Sequence, residues 1–233
     1  MSTARIPTPI FNTPQIPFLS LPLKKDSQNL IREIEMIALP GTPFKCLREV
    51  SEHMIEVETP DYPSSTPLYV DRRFLQPGTT DQEKTLPSKA TLLDWLESCV
   101  GIRYFWGGNW RKGIPEMLDF YPHLQTASPE DQDDALCRGV DCSGLLYEAT
   151  GGLTPRNTSQ LIHYGEAVSF HELQPLDLIV WKGHMLIVFS KDLVIESRRG
   201  DGVVMSPFEK RYAEVVKLTE AENKTRHFRR WYI

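Results

Sequence analysis

Three apolar runs, Leu178 to Trp181, Met185 to Phe189 and Leu193 to Ile195, follow one another with only a few residues between them. Parallel neighbours need a crossover of about a dozen residues or more, so these runs can pair only as an antiparallel meander. What precedes them is helical. Ser88 reads as an N-cap, Leu92, Leu93, Leu96, Cys99 and Val100 form one apolar stripe, and Gly101 ends the helix. A second helix follows Cys142, with Leu145, Leu146 and Ala149 on its apolar face and Gly151-Gly152 as its stop. A third, short one covers Thr158 to Tyr164. Helices followed by a meander make this half of the chain α+β.

The N-terminal half has a different rhythm. Ile34 to Ile37, Phe44 to Leu47, Met54 to Val57 and Pro67 to Val70 read as short strands, separated by the turn clusters Pro40-Gly41-Thr42-Pro43 and Pro60-Asp61-Tyr62-Pro63-Ser64-Ser65. Close spacing of that kind predicts a small all-β barrel. Prolines at 7, 9, 14, 17 and 22 make residues 1–25 an extended arm. The linker chemistry of Gln76-Pro77-Gly78-Thr79-Thr80-Asp81 closes the module at residue 78. The expected division is therefore arm 1–25, β module 26–78 and α+β domain 79–233. Residues 109–140 form a long connection, expected to flank or cover a cleft. Its acids Glu130, Asp131, Asp133 and Asp134 read as a solvated face, with cation binding as the alternative.

A net charge of −5 with scattered Lys and Arg argues against a nucleic-acid surface, and no apolar run is long enough to span a bilayer. The prolines interrupt Ile16 to Leu23, and no small-residue cleavage pattern follows. The expected location is the cytoplasm, with the cell envelope, reached by another export route, as the alternative. Cysteines 46, 99, 137 and 142 lack metal-ligand or disulfide-framework spacing, so neither metal nor other cofactor is implied. Cys46 and Cys99 read as packed thiols, and Cys137 as a loop residue. Nothing in the sequence sets an oligomeric state.

Asp141-Cys142-Ser143-Gly144 places a thiol at a helix start, where unpaired N–H groups and the helix dipole favour the thiolate. A base is needed to generate it, and His184, just ahead of an apolar strand, can project from the strand end. A turn at Ser190-Lys191-Asp192 makes residues 184–196 a hairpin. Pairing symmetric about residue 190 sets Glu196 opposite His184, where it can accept the second imidazole N–H. The Cys142 N–H is the natural oxyanion donor. His53, His123, His163, His171 and His227 have no such context. Arg156 reads as an ion partner for a helix start, with a substrate carboxylate as the weaker option.

The ordered set Tyr104-Phe105-Trp106-Gly107-Gly108, Asp141-Cys142-Ser143-Gly144, Pro155-Arg156 and Gly183-His184 resembles the NlpC/P60 family of bacterial cysteine peptidases. The resemblance covers residues 88–232 well and 26–75 loosely. It implies a papain-like NlpC/P60 domain behind a bacterial SH3-like module, and hydrolysis of peptidoglycan stem peptides between γ-D-glutamate and the following diamino acid. Peptidoglycan-derived muropeptides would be the partners. Cys142 and His184 would be catalytic, with Tyr104 as an auxiliary beside the thiol. Glu196 occupies the third position, where the family often shows Ile-His-Ala and this chain has Ile195-Glu196-Ser197. Asp141, Ser143 and Tyr62, from the Asp61-Tyr62-Pro63 turn, would hold the free amino end of a short peptide. A non-catalytic wall-binding protein and an acyltransferase on the same fold are the rival readings.

Overall fold

The computed structural model describes residues 1–78 and 83–232. Thr79, Thr80 and Asp81 of the expected linker thus lie outside the described residues. Strands β1 (Ser2–Ala4), β2 (Thr8–Phe11), β3 (Ile34–Ala38), β4 (Pro43–Glu49), β5 (Met54–Glu58), β6 (Leu68–Asp71) and β7 (Leu75–Pro77) come first, and helix α1 (Lys89–Glu97) follows. The short strands β8 (Asn109–Trp110) and β9 (Gly139–Val140) bracket helices α2 (Glu116–Phe120) and α3 (Pro129–Ala135). Then come α4 (Cys142–Ala149), α5 (Thr158–Leu161) and β10 (Glu166–Ala167). The chain finishes with β11 (Leu178–Trp181), β12 (His184–Val188), β13 (Leu193–Arg198), β14 (Gly202–Pro207), α6 (Phe208–Ala221) and β15 (His227–Arg230). Among the described residues no helix is long and apolar enough to cross a membrane.

The chain forms two compact units, and their limits differ from the expected ones. The first joins residues 1–84 to 105–140, and the second joins 85–104 to 141–233. In the first unit seven strands form one sheet in the order β3-β2-β6-β5-β4-β1-β7, so it has two free ends and is not the closed barrel expected. The arm is not a free arm either. β1 pairs with β4 and β7, β2 pairs with β3 and β6, and Phe18 and Leu23 are buried. Prolines fit there because the segments holding most of them contribute little or no sheet pairing.

The 109–140 connection folds into that same core. Ile114, Met117, Tyr121, Leu124, Ala135 and Cys137 pack with Phe11, Phe18, Ile34, Ile37 and Phe74. Its start is fastened by Asn109, a buried amide that bonds both the N–H (3.0 Å) and the carbonyl (2.6 Å) of Ile37, as a neighbouring strand would. Gly107 and Gly108 are required by crowding. A Cβ on Gly107 would meet the Ile34 carbonyl at 2.6 Å, and one on Gly108 the Gly139 carbonyl at 2.5 Å. The acids are a solvated face only in part, with Glu130 exposed and Asp133 half-buried. Lys25 Nζ lies 2.7 Å from Asp131 and 2.6 Å from Asp134, with both carboxylates buried, and Asp133 pairs with Arg138 at 2.9 Å. Among the described residues no cluster of acids, cysteines and histidines is placed to hold a metal ion.

The second unit carries a six-stranded antiparallel sheet, β10-β15-β11-β12-β13-β14. Its expected strands 178–181, 185–189 and 193–195 are present, and β14, α6 and β15 extend what the sequence reading covered. Helix α1 starts as expected, with Ser88 Oγ accepting from the Thr91 N–H, but ends at Glu97; Val100 is exposed. Ile179, Trp181, Leu186, Val188, Val194, Phe208 and Val215 form the core between sheet and α6. Ile179 with Trp181 and Leu186 with Val188 are two apart along their strands, so each pair shares one face of the sheet, and α6 packs there.

Candidate active site

Asp141 makes the start of α4. It is extended (φ −88°, ψ −175°), and its Oδ1 accepts the Gly144 N–H at 2.7 Å, a side-chain N-cap. That cap sets Cys142 at the first helical position, where the N–H has no intrahelical acceptor. A capping carboxylate would oppose a thiolate beside it, and Arg156 removes that objection. The Arg156 side chain is 2% exposed, and its fork reaches Asp141 Oδ1 at 2.9 Å and Oδ2 at 2.6 Å. It also donates to Ser143 Oγ at 3.0 Å. The helix start therefore keeps its positive character for the thiol.

Asp141 and Ser143, expected to hold the amino end of a peptide, have partners within the helix start. Oδ1 takes three donors, from Gly144, Arg156 and Ser143, and Oδ2 takes Arg156. Asp141 already has its counter-cation, so an absent substrate ammonium would not leave it unpaired. Arg156 is the helix-start ion partner.

His184 opens β12, one residue past a two-residue turn in which Gly183 carries φ 98°. The hairpin register differs from the expected one. Ile187 faces Ile195 and Val188 faces Val194, so the pairing is centred on residue 191, not 190. Continued along the strands, that register puts Glu196 across from Leu186, diagonal to His184. The shift amounts to two residues of pairing and so preserves the face, and a diagonal neighbour is within reach of a long side chain. His184 Nε2 lies 2.7 Å from Glu196 Oε2. An ionised carboxylate can only accept, so Nε2 carries the proton and Nδ1 is left free of Glu196, while Cys142 is near enough to act on the charge of the ring. Burial works against the charged ring, but Cys142 and Glu196 outweigh it and push His184 up to about 9.

Glu196 is itself gripped. Its side chain is fully buried, and Arg211 from α6 meets it with Nε to Oε1 at 2.5 Å and Nη2 to Oε2 at 2.9 Å. Burial raises the Glu196 carboxyl, yet His184 and Arg211 hold it below the usual range. Sequence reasoning missed Arg211. The only trace was an arginine in a polar segment after the meander, with nothing to connect it to residue 196.

Tyr104 is half-buried, in the unit that holds Cys142, His184 and Glu196. Tyr62 belongs to the other unit, where its hydroxyl donates to Glu35 Oε2 and Glu35 Oε1 accepts from Asn12 at 2.7 Å. Glu35 is thus the acidic neighbour of Tyr62. The remaining thiols divide differently from expectation: Cys99 and Cys137 are buried, and Cys46 is exposed on β4.

The profile of the NlpC/P60 family matches residues 101–220, more than half of the chain. An NlpC/P60 family protein from Bacillus cereus ATCC 10987 is 18% identical, with 99% of this chain and 62% of that one covered at a TM-score of 0.42. The peptidoglycan hydrolase RipB from Mycobacterium tuberculosis is 24% identical, with 62% of this chain and 65% of RipB covered, also at 0.42. RipD from the same organism, a non-catalytic NlpC/p60 domain protein adapted to peptidoglycan binding, is 19% identical, with 62% and 97% covered at 0.42. This chain spans less than two thirds of the Bacillus and RipB chains. No curated protein matches it. The family assignment rests on the profile match.

Proposed function

The chain belongs to the NlpC/P60 family, and from that premise we propose that it is a cysteine peptidase acting on peptidoglycan stem peptides at the γ-D-glutamyl–diamino acid bond. One observation carries the reading: a single imidazole, His184, interacts with the Cys142 thiol and is bonded to the buried carboxylate of Glu196. That is the linkage a thiol needs to become a nucleophile and a leaving amine needs to be protonated. In this reading the helix-and-sheet unit is papain-like, and the seven-stranded sheet is the counterpart of an SH3-like module.

The Cys142 thiolate attacks the γ-glutamyl carbonyl carbon, and the Cys142 N–H donates a hydrogen bond to the developing oxyanion. His184, protonated and oriented by Glu196, gives its proton to the leaving amine as the C–N bond breaks. Neutral His184 then takes a proton from water, the hydroxide equivalent attacks the thioester, and the thiolate–imidazolium pair returns. Tyr104 stands as the auxiliary group beside the thiol. Incubation with L-Ala-γ-D-Glu-diaminopimelate and mass spectrometry tests this. Free diaminopimelate is expected from the wild type and none from Cys142→Ala. Intact peptide with the wild type would leave the non-catalytic, muropeptide-binding reading. Transfer of the acyl group to an added amine in place of water would identify an acyltransferase.

The proposal includes a preference for short peptides with a free amino end, and in it Asp141 already has Arg156 as its counter-cation. Comparing the tripeptide with its N-acetyl form, in wild type and Tyr62→Phe, decides it; equal rates on both peptides in the wild type would remove the preference.

A further inference from the structure

We propose that Arg211 is a positioning residue that works with Glu196 as one unit, its fork keeping the carboxylate ionised and aimed at the His184 ring. The proposal rests on the catalytic reading of Cys142 and His184 and extends it to a residue on a separate helix. A fully buried carboxylate is expensive unless it is paired and hydrogen-bonded. Glu196 meets that condition through Arg211: one guanidinium edge covers both oxygens at 2.5 and 2.9 Å, while Oε2 also accepts from His184 at 2.7 Å. A planar fork fixes the plane of the carboxylate, which a point charge cannot do.

The setting of Arg211 supports a specific role. It lies near the start of α6, where the helix dipole disfavours a cation. Its third nitrogen, Nη1, donates to Glu214 at 2.9 Å, so the guanidinium is held on both sides. The charged groups around the base can be followed element by element. Cys142 comes from α4, Glu196 and Arg198 from β13, and Arg211 with Glu214 from α6. Arg198 is a lesser partner, 3.8 Å from Glu196 Oε1 and paired to Asp201 at 2.6 Å. In the ionised form that the catalytic reading requires, thiolate, imidazolium, carboxylate and guanidinium alternate in sign. Removing the carboxylate alone leaves the guanidinium facing the imidazolium. Removing the guanidinium alone leaves a buried carboxylate that competes for the ring proton.

The test is a cycle of wild type, Glu196→Gln, Arg211→Met and the double variant. Cys142 alkylation by iodoacetamide is followed against pH by mass spectrometry of the labelled peptide. Glu196→Gln is expected to slow alkylation at neutral pH and to move its alkaline edge to lower pH. The double variant should then react about tenfold faster than Glu196→Gln alone, since the orphaned cation is gone. A double variant as slow as the product of the two single effects would overturn the unit. Arg211→Lys keeps the charge without the fork and should show an intermediate rate with a shifted edge; a wild-type rate and edge would overturn the positioning role. That variant also decides the question if a charge-removing variant fails to fold. A wild type that alkylates as expected yet cleaves no peptide would count against the peptidase reading alone, because the alkylation cycle needs no substrate.

Discussion

Two buried carboxylates in this protein are held in nearly the same way. In the first unit Asp71 is 1% exposed, is gripped by Arg73 through Nε at 3.0 Å and Nη2 at 2.5 Å, and accepts the Tyr121 hydroxyl at 2.6 Å. In the second unit Glu196 is 1% exposed, is gripped by Arg211 through the same two nitrogens, and accepts a His184 ring N–H. Carboxylate, arginine fork and aromatic donor recur; the proton does not. Burial and Asp71 raise the already weak acid Tyr121 further, so its proton stays where it is. His184 is pushed up only to about 9 and meets a thiol on its other side. An ion cluster of this shape is thus a structural device, and in the proposed reading it serves chemistry where its last member can release its proton within an accessible pH range beside a nucleophile.

The largest expected effect separates the two clusters outright. Cys142→Ala should lower hydrolysis by about 10⁴-fold or more with folding retained. Tyr121→Phe should cost about 1–3 kcal/mol of stability and leave turnover per folded molecule unchanged. Thermal melts and kcat measured side by side check both, and turnover surviving in Cys142→Ala would break the comparison.

Next come the carboxylates. Glu196→Gln should lower kcat by about 10²–10⁴-fold, because the imidazolium loses its counter-charge and faces Arg211. Asp71→Asn should instead appear as about 1–3 kcal/mol in chemical denaturation, the cost of breaking a pair whose carboxylate is buried and whose cation, Arg73, is part-exposed, with kcat intact. Glu196→His should recover little activity unless Arg211 is neutralised too. Recovery in the presence of Arg211 would show that the fork is dispensable.

The pH dependence sharpens the contrast. His184 is raised above its unfolded value, so its pair contributes stability in full below about pH 6.5 and loses that contribution as pH rises through about 9. Hydrolysis should fall along the same alkaline limb, as the proton destined for the leaving amine is lost. The carboxyls of Glu196 and Asp71 are both lowered, so their contributions are present at neutral pH and are lost as pH falls through their depressed values. A pH–kcat profile with no alkaline limb near 9 in the wild type would separate activity from His184.

The smallest effects fall on the other thiols. Cys137 is fully buried in the first unit, and Cys137→Ala should cost about 1–2 kcal/mol by thermal melt, against the tolerance expected of a loop residue. Cys46→Ala, on an exposed face, should change stability by about 0.5 kcal/mol or less.

Signals carried by neighbouring residues were legible in the sequence. Apolar runs with short gaps forced the meander, Ser88 announced one helix start, and Cys142, His184 and Glu196 could be named from their places on local elements. Even the register error at the hairpin was harmless, because a two-residue slip keeps side chains on the same face. The misreadings share another cause. The proline-containing arm became strands because sheet neighbours supplied partners that composition does not reveal. Asp131 and Asp134 looked solvated like their neighbours Glu130 and Asp133 because Lys25, which pairs with both, lies far away in the chain.

What the sequence by itself determined, then, is which local elements form and which reactive side chains they carry, since caps, periodicity and turn chemistry act over a few residues. Tertiary structure decided which charges meet beyond a single hairpin, and which helix start Arg156 serves. Arg156 joins Asp141 across 15 residues, and Arg211 joins Glu196 across 15 more of strand, turn and helix. Ion pairing depends on distance and burial, and neither is written in the spacing of residues along a chain.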